Sequence, residues 1–504
     1  MKKIIKYIAI SILIFSVQSC IDEDPQDQIW TGGFFNNTAE VNQAVLACYN
    51  GLQSTISEEW AVTEVRSDNS RHYGMNSTTA DSRELYGLDH FRLLSTHVRN
   101  KDYWDVVYHN IANCNTVLQY LDVVADEDLR NQFEAEALFI RSYHYFNLVR
   151  LYGPLFLVTE RIDMDAANRA ERSSVNDVYT LLTDDLERIV NDKMLPTKYS
   201  SADKGRVDIW TAKTLLAKIY LTLNRLSEAR TLLLDVEANS GYSLLENSYE
   251  DVFSINNEMN KEMMFVIRFK AGGYGLGSPF ANYFAPQNSQ NAVVNSGGNG
   301  HNCPTNDIMN AYEPEDKRKD VTVQWTYLNT VGVKVYMSFV KKYLSQVQTV
   351  KDAENDWPVI RYADVILMLA EIENELSGPS AGLPYLNQIR TRAGLDPLES
   401  TDVSNKNQFR LAVEKERRLE FAFENHRFFD LVRTGRLIEV MKNHYDTEQY
   451  ADTGSGELRP FYEDSKNESY LAPEYRTLQS WQLLLPIPYS VMSVAPNATQ
   501  NPGY

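Results

Sequence analysis

Small residues set twelve positions apart constrain this 504-residue chain more than any other feature. Leu216-Ala217-x-x-Tyr220 is followed by Ala229-x-x-x-Leu233, and Leu369-Ala370 is followed at the same spacings by Gly382 and Leu386. This is the tetratricopeptide pattern, in which a small residue on each of two antiparallel helices lets their backbones approach closely. In the second copy Glu373 stands where the tyrosine belongs. Two copies do not make a regular solenoid, so the pattern predicts degenerate helical hairpins inside a larger, mainly α fold.

Periodicity and caps predict the other helices. Thr38 to Ser54 starts at Thr38 as N-cap, and Tyr103 to Leu121 follows. Gln132 to Leu151 is stopped by Gly153-Pro154, and Val175 to Val190 lies behind Ser174. Asp208 to Leu223 and Ser227 to Glu237 form the first hairpin. Two stretches break the helical pattern. Val65 to Leu94 is rich in Tyr, His, Arg and Asn, and residues 261–350 carry a possible strand, Met264 to Phe269, and Gly- and Asn-rich loops. Long irregular segments inside a compact domain usually carry function.

The first twenty residues point to a compartment. Lys2, Lys3 and Lys6 precede an apolar run from Tyr7 to Val17, too short to span a bilayer and right for a signal peptide. The run ends in Val17-Gln18-Ser19-Cys20, which looks like a lipobox with cleavage before Cys20 and a lipid on its thiol. The reading divides the chain into a signal peptide (1–19), a lipidated tether (20–37) and one interwoven domain (38–504). That domain has a helical part (38–260), the irregular insertion (261–350) and a C-terminal part (351–504). Removing residues 1–19 takes away three lysines and no acid, so the net charge of −19 becomes −22. Such a balance argues against non-specific nucleic-acid binding, which needs a basic surface. Asp22-Glu23-Asp24 behind the cysteine resembles the surface-export signal of Bacteroidetes lipoproteins.

Chemistry is mostly absent. Cys48, Cys114 and Cys303 form no disulfide framework and no metal-ligand spacing, and the eight histidines show no paired ligand spacing. There is no HExxH, GxSxG or P-loop, so no cofactor, metal or catalytic residue is expected. The densest charge cluster runs from Glu414 to Arg433 and reads as a helix that ties neighbouring hairpins together, with Leu419 and Phe423 on one face and Glu424 reaching Arg427.

That cluster carries a family resemblance. Glu416-Arg417-Arg418-x-Glu420-Phe421 through Arg427, Asp430-Leu431 and Arg433 resembles a hallmark of the SusD/RagB family. Ala135 to Tyr143 with Tyr152-Gly153-Pro154, Arg361 to Glu371, Leu386 to Leu395, Leu485 to Pro488 and Gln500 to Tyr504 resemble further family motifs in the family's order. The resemblance implies four tetratricopeptide-like helical pairs and an irregular ligand-facing half. It also implies an outer-membrane lipoprotein, exposed to the exterior, that captures glycans for a SusC-like TonB-dependent transporter without catalysis. RagB-like members make an oligopeptide the alternative ligand, and a surface glycosidase is the distant alternative.

A neutral sugar needs aromatic faces for its C–H surfaces and paired donors and acceptors for its hydroxyls. By position, the family's ligand loops fall on the two irregular segments. The candidates are Asp68, Asn69, Arg71, His72 and Tyr73 in the first, with Tyr73 stacking and Asp68 and Arg71 bonding hydroxyls, and Tyr274, Tyr283 and Phe284 in the second. Trp104 and Trp210 read as structural, and Trp325 as a core residue of a strand.

Overall fold

The computed structural model describes residues 35–72, 80–162, 164–246, 248–465 and 469–504. The expected signal peptide, Cys20 and nearly all of the tether lie outside the described residues.

Among the described residues, helices pack in four pairs. Thr38–Thr63 lies against Val98–Gln119, Glu127–Tyr152 against Val175–Asn191, Ile209–Thr222 against Leu226–Asn239, and Tyr362–Ser377 against Pro379–Arg392. Caps fix most starts. Asn37, not Thr38, caps the first helix by accepting from the Glu40 N–H at 3.1 Å, and Ser174 forms a capping box with Asp177. The first helix runs nine residues past the expected Ser54, because Leu52, Ile56 and Trp60 continue the buried stripe.

The small-residue spacing does what packing requires. Ala217 and Ala229 are fully buried between their helices. A Cβ on Gly382 would sit 2.6 Å from the Ala370 carbonyl oxygen and 2.6 Å from the Phe409 ring. Gly382→Ala is therefore expected to destabilise by about 1–3 kcal/mol through overpacking, even though alanine favours a helix by about 1 kcal/mol. A denaturation midpoint at or above that of the parent chain would contradict this.

One cluster of buried apolar side chains runs from Val41 to Ala495, so the helical pairs and the irregular segments share a core. Trp104 and Trp210 are buried in it, and Trp325 packs half-buried against it from the strand Val323–Leu328. Cys48, Cys114 and Cys303 are free and buried.

Among the described residues, four two-stranded antiparallel sheets stitch the non-helical half together. Met263–Ile267 pairs with Trp357–Arg361, and Val323–Leu328 with Lys334–Val340. Gln449–Ala451 pairs with Leu458–Pro460. The shortest matters most here. Ser70–Arg71 pairs with Cys303–Pro304, and the Thr305 N–H donates to the Asn69 carbonyl at 3.0 Å. This ladder joins the two irregular segments of the sequence.

The charge cluster is a structural lattice, but not one continuous helix. The helix Lys406–Glu420 ends at Phe421, and Phe423 and Asn425 take left-handed backbone angles, φ +65° and +66°. Phe423 thus leaves the Leu419 face, and Glu424 turns inward to Arg361 and Lys342 instead of meeting Arg427. Arg361 bonds Glu262, Glu420 and Glu424, and Arg392 also bonds Glu262 and Glu420. Burial pushes the Glu420 carboxyl up, but Arg392, Arg361 and Arg318 outweigh it and hold it far below the ordinary carboxylate range.

Candidate functional site

Where the two irregular segments meet, the chain gathers an aromatic cluster edged by charge. The last turns of the helix Thr38–Thr63 carry Glu58 and Trp60. Helix Ala80–Asp89 brings Asp81, and the first turn of Val98–Gln119 brings Arg99. From the insertion come Tyr283, on the short helix Phe280–Phe284, and His301.

Trp60 is the floor. Its ring is fully buried, stacks on His301 at 5.7 Å between centroids, and tilts against Tyr283 at 6.2 Å. Tyr283, half-buried, lies 5.6 Å from His301, whose backbone N–H donates to the Tyr283 carbonyl at 2.9 Å. The polar edge is fixed by Arg99. Its guanidinium donates to Asp81 at 2.7 Å and to Glu58 at 2.8 Å, and lies 5.4 Å from the Trp60 ring. His301 Nε2 sits 3.1 Å from Asp81 Oδ2. A carboxylate only accepts, so Nε2 carries the hydrogen. Burial lowers the His301 pKa and Asp81 opposes it. Burial raises Asp81, but the His301 hydrogen bond and Arg99 outweigh it and hold the carboxyl ionised.

The insertion is braced from below. The Asn282 side-chain amide donates to the Gly297 carbonyl at 2.8 Å, and its oxygen accepts from the Lys351 N–H at 2.7 Å. Gly298 is required by close approach, because a Cβ there would lie 2.1 Å from the Ala285 carbonyl oxygen. Lys351 then places its ammonium 5.0 Å over the Tyr283 ring. Its neighbour Asp352 accepts from the N–H groups of Gly272 and Gly273, each at 2.9 Å. Tyr274, at the tip of that glycine loop, is 72% exposed.

The residues expected from sequence divide sharply. Tyr283 stands in the cluster, and Tyr274 is exposed beside the strap that braces it. Tyr73 lies outside the described residues. The structure corrects the expectation for the others, which turn inward. Asp68 accepts two bonds from Arg427, each at 2.8 Å, and pairs with Arg418 at 3.0 Å. Asn69 donates to Glu64 at 3.0 Å and accepts from Arg418 at 2.8 Å. Arg71 pairs with Glu448 and donates to the Gln449 carbonyl at 2.8 Å. His72 is buried, and burial lowers its pKa to about 3, so its ring is neutral. Phe284 is buried among Trp60, Tyr343 and Trp357. Desolvated and partnered within the protein, Asp68, Asn69 and Arg71 hold the framework rather than face a ligand, while the buried His72 ring packs edge-on to His301 at 6.3 Å.

Sequence reasoning missed Glu58, Trp60, Asp81, Arg99, His301 and Lys351. The one available signal was the buried stripe at Leu52, Ile56 and Trp60, which extends the first helix to the site.

Comparison with known proteins agrees with this architecture. Residues 21–221 match a family model described as "Starch-binding associating with outer membrane", and residues 318–504 match one described as "SusD family". A SusD-like protein of Formosa agariphila is 26% identical over 92% of this chain and 94% of its own length. Another from Bacteroides ovatus is 24% identical over 77% of this chain and 78% of its own. Among solved structures, a laminarin-binding SusD-like protein superposes with a TM-score of 0.75 at 24% identity, covering 93% of this chain and all of that one. Surface glycan-binding protein A from Bacteroides thetaiotaomicron, in complex with laminarihexaose, gives 0.74 at 21% identity, covering 92% and 99%. With SusD-type models matching both halves, SusD-like relatives spanning most of its length and SusD-like structures sharing its fold, this chain belongs to the SusD family.

Proposed function

We propose that the protein is a non-catalytic glycan-binding lipoprotein of the outer membrane, anchored through Cys20 and facing the exterior. It hands captured oligosaccharides to a SusC-like TonB-dependent transporter. The carrying observation is the half-buried Tyr283 on its Trp60–His301 base, flanked by Asp81, Arg99 and Glu58. A tyrosine ring offers a surface for sugar C–H groups, and the carboxylates accept from vicinal hydroxyls while Arg99 fixes their direction. The likeness to a laminarin-binding protein and to a laminarihexaose complex supports a β-glucan as the first ligand to try.

Titration calorimetry of the detergent-solubilised full chain against laminarihexaose, other plant and microbial oligosaccharides and a peptide mixture tests the reading. Saturable binding to one glycan class is expected, weakened roughly thirtyfold by Tyr283→Ala, the loss of a central aromatic anchor at about 2 kcal/mol. Binding of peptides with silence from every glycan would overturn it. Metabolic labelling with palmitate, lost in Cys20→Ala, tests the anchor.

A further inference from the structure

The surface around Tyr489 is exposed in a way that neither the core nor the cluster at Tyr283 explains. Tyr489 is 61% exposed, beside Leu94 at 73% and Val98 at 52%. Contiguous apolar surface of this kind marks a place of contact.

The patch is fastened directly to the candidate site. The Tyr489 N–H donates to the Ser95 carbonyl at 2.8 Å. Two residues further on, the His97 ring meets the Glu84 carbonyl at 2.9 Å, and the Val98 N–H donates to the Glu84 carboxylate at 2.8 Å. Glu84 lies one turn from Asp81 on the same helix, a rise of about 4.5 Å. Arg99, next after Val98, is the residue that grips Asp81. An unbroken run of bonded neighbours therefore leads from Tyr283's polar edge to Tyr489.

The chemistry of the patch is mixed, not purely aliphatic. Thr96, next to Ser95, and Ser490 expose hydroxyl-bearing side chains beside Tyr489. An exposed aromatic ring with hydroxyls beside it suits a saccharide, which alternates C–H faces with hydroxyls. We infer that Tyr489, with Leu94 and Val98, forms a second subsite onto which a glycan held at Tyr283 continues. The ligand class is then a long glycan chain rather than a short oligosaccharide. This rests on the glycan reading above.

The test compares two lengths of one glycan, laminarihexaose and laminarin, or the hexasaccharide and parent polymer of whichever panel member binds. Tyr489 has little contact with the core, so Tyr489→Ala is expected to fold normally. It is expected to weaken the polymer roughly five- to tenfold and the hexasaccharide less than twofold, in line with about 1 kcal/mol for one aromatic stack. Tyr489→Trp should restore polymer binding. Equal affinities for both lengths in Tyr489→Ala, with Tyr283→Ala still defective, would overturn the subsite and leave the glycan reading standing. Loss of a co-purifying protein with polymer binding unchanged would also overturn it, making the patch a protein contact. No glycan bound by the parent chain would remove both.

Discussion

Arg361→Met is expected to destabilise the fold by about 3–5 kcal/mol, the typical result of removing one partner from a buried ionic network. Arg361 is 1% exposed and reaches three carboxylates: Glu262 at 2.6 Å, Glu420 at 2.9 Å and Glu424 at 2.8 and 2.9 Å. It also donates to the Glu420 carbonyl at 3.0 Å. Methionine fills similar volume, so the effect is not a cavity. It is the charge left on three desolvated acids, of which Arg392 still faces two and Lys342 one. The same carboxylates tie the strand Trp357–Arg361 and the segment after Glu420 to the insertion. Glu64, near the site's helix, accepts from the Phe423 and Asn425 N–H groups at 3.0 and 3.1 Å. Loss of Arg361 should therefore loosen the base of the site as well as lower the denaturation midpoint. Removing one of the three carboxylates too, as in Arg361→Met with Glu420→Gln, should recover part of the loss, because the penalty lies in unpaired charge. An unchanged midpoint in the single variant would contradict the argument.

The same lattice shows where sequence was informative and where it was silent. Helical pairs are legible because their signal is short-range: Ala217 and Ala229 recur twelve positions apart across one hairpin, as Ala370 and Gly382 do across another, and the Ser174 box acts within a single turn. The burial of Trp104 and Trp210 follows from the same periodicity. The charge cluster was legible as structural, but its break at Phe421 was not. Glu420 and Glu424 read as helical neighbours until Arg361, Arg392 and Lys342 arrive from elsewhere to draw Glu424 inward. Site residues failed for the same reason. Asp68 resembles a surface ligand contact until Arg427, 359 positions away, claims both its oxygens. Glu58, Asp81, Arg99 and His301 come from four segments, none of which is distinctive alone. The Ser70–Arg71 and Cys303–Pro304 ladder, with Gln53 donating to the Arg268 carbonyl at 2.6 Å, brings the insertion to the helices that complete the site.

Asp89→Asn is expected to gain stability over the parent chain steadily as pH rises from about 4 to about 8, and to level off above that. Asp89 is fully buried at the end of the helix Ala80–Asp89. Its carboxyl accepts from the Tyr462 hydroxyl at 2.9 Å and from the His72 N–H at 3.3 Å. Among the described residues Arg71 and His90 are the nearby cationic groups, and neither offsets its burial. His90 Nδ1 is 3.6 Å away, but burial lowers that ring's pKa to about 4, and Arg71 is engaged by Glu448. Burial consequently pushes the Asp89 carboxyl up to about 8, with Tyr462 and His72 opposing only in part. A free aspartate titrates near 3.9. Between the two values the folded chain holds a proton that the unfolded chain has released. The stability that this proton contributes is complete below the unfolded pKa and falls by about 1.4 kcal/mol per pH unit as pH rises toward the folded one. An amide cannot ionise, so the variant escapes this slope. Glu64 and Asp356, both raised to about 7, titrate with the same sign but cancel in the difference between the two chains. Any fixed change from seating the amide hydrogens shifts the whole curve without tilting it. Denaturation midpoints of both chains across pH 5–9 read the tilt directly. Parallel profiles would mean that Asp89 ionises near its ordinary value, and that a cation or water reaches it beneath His72.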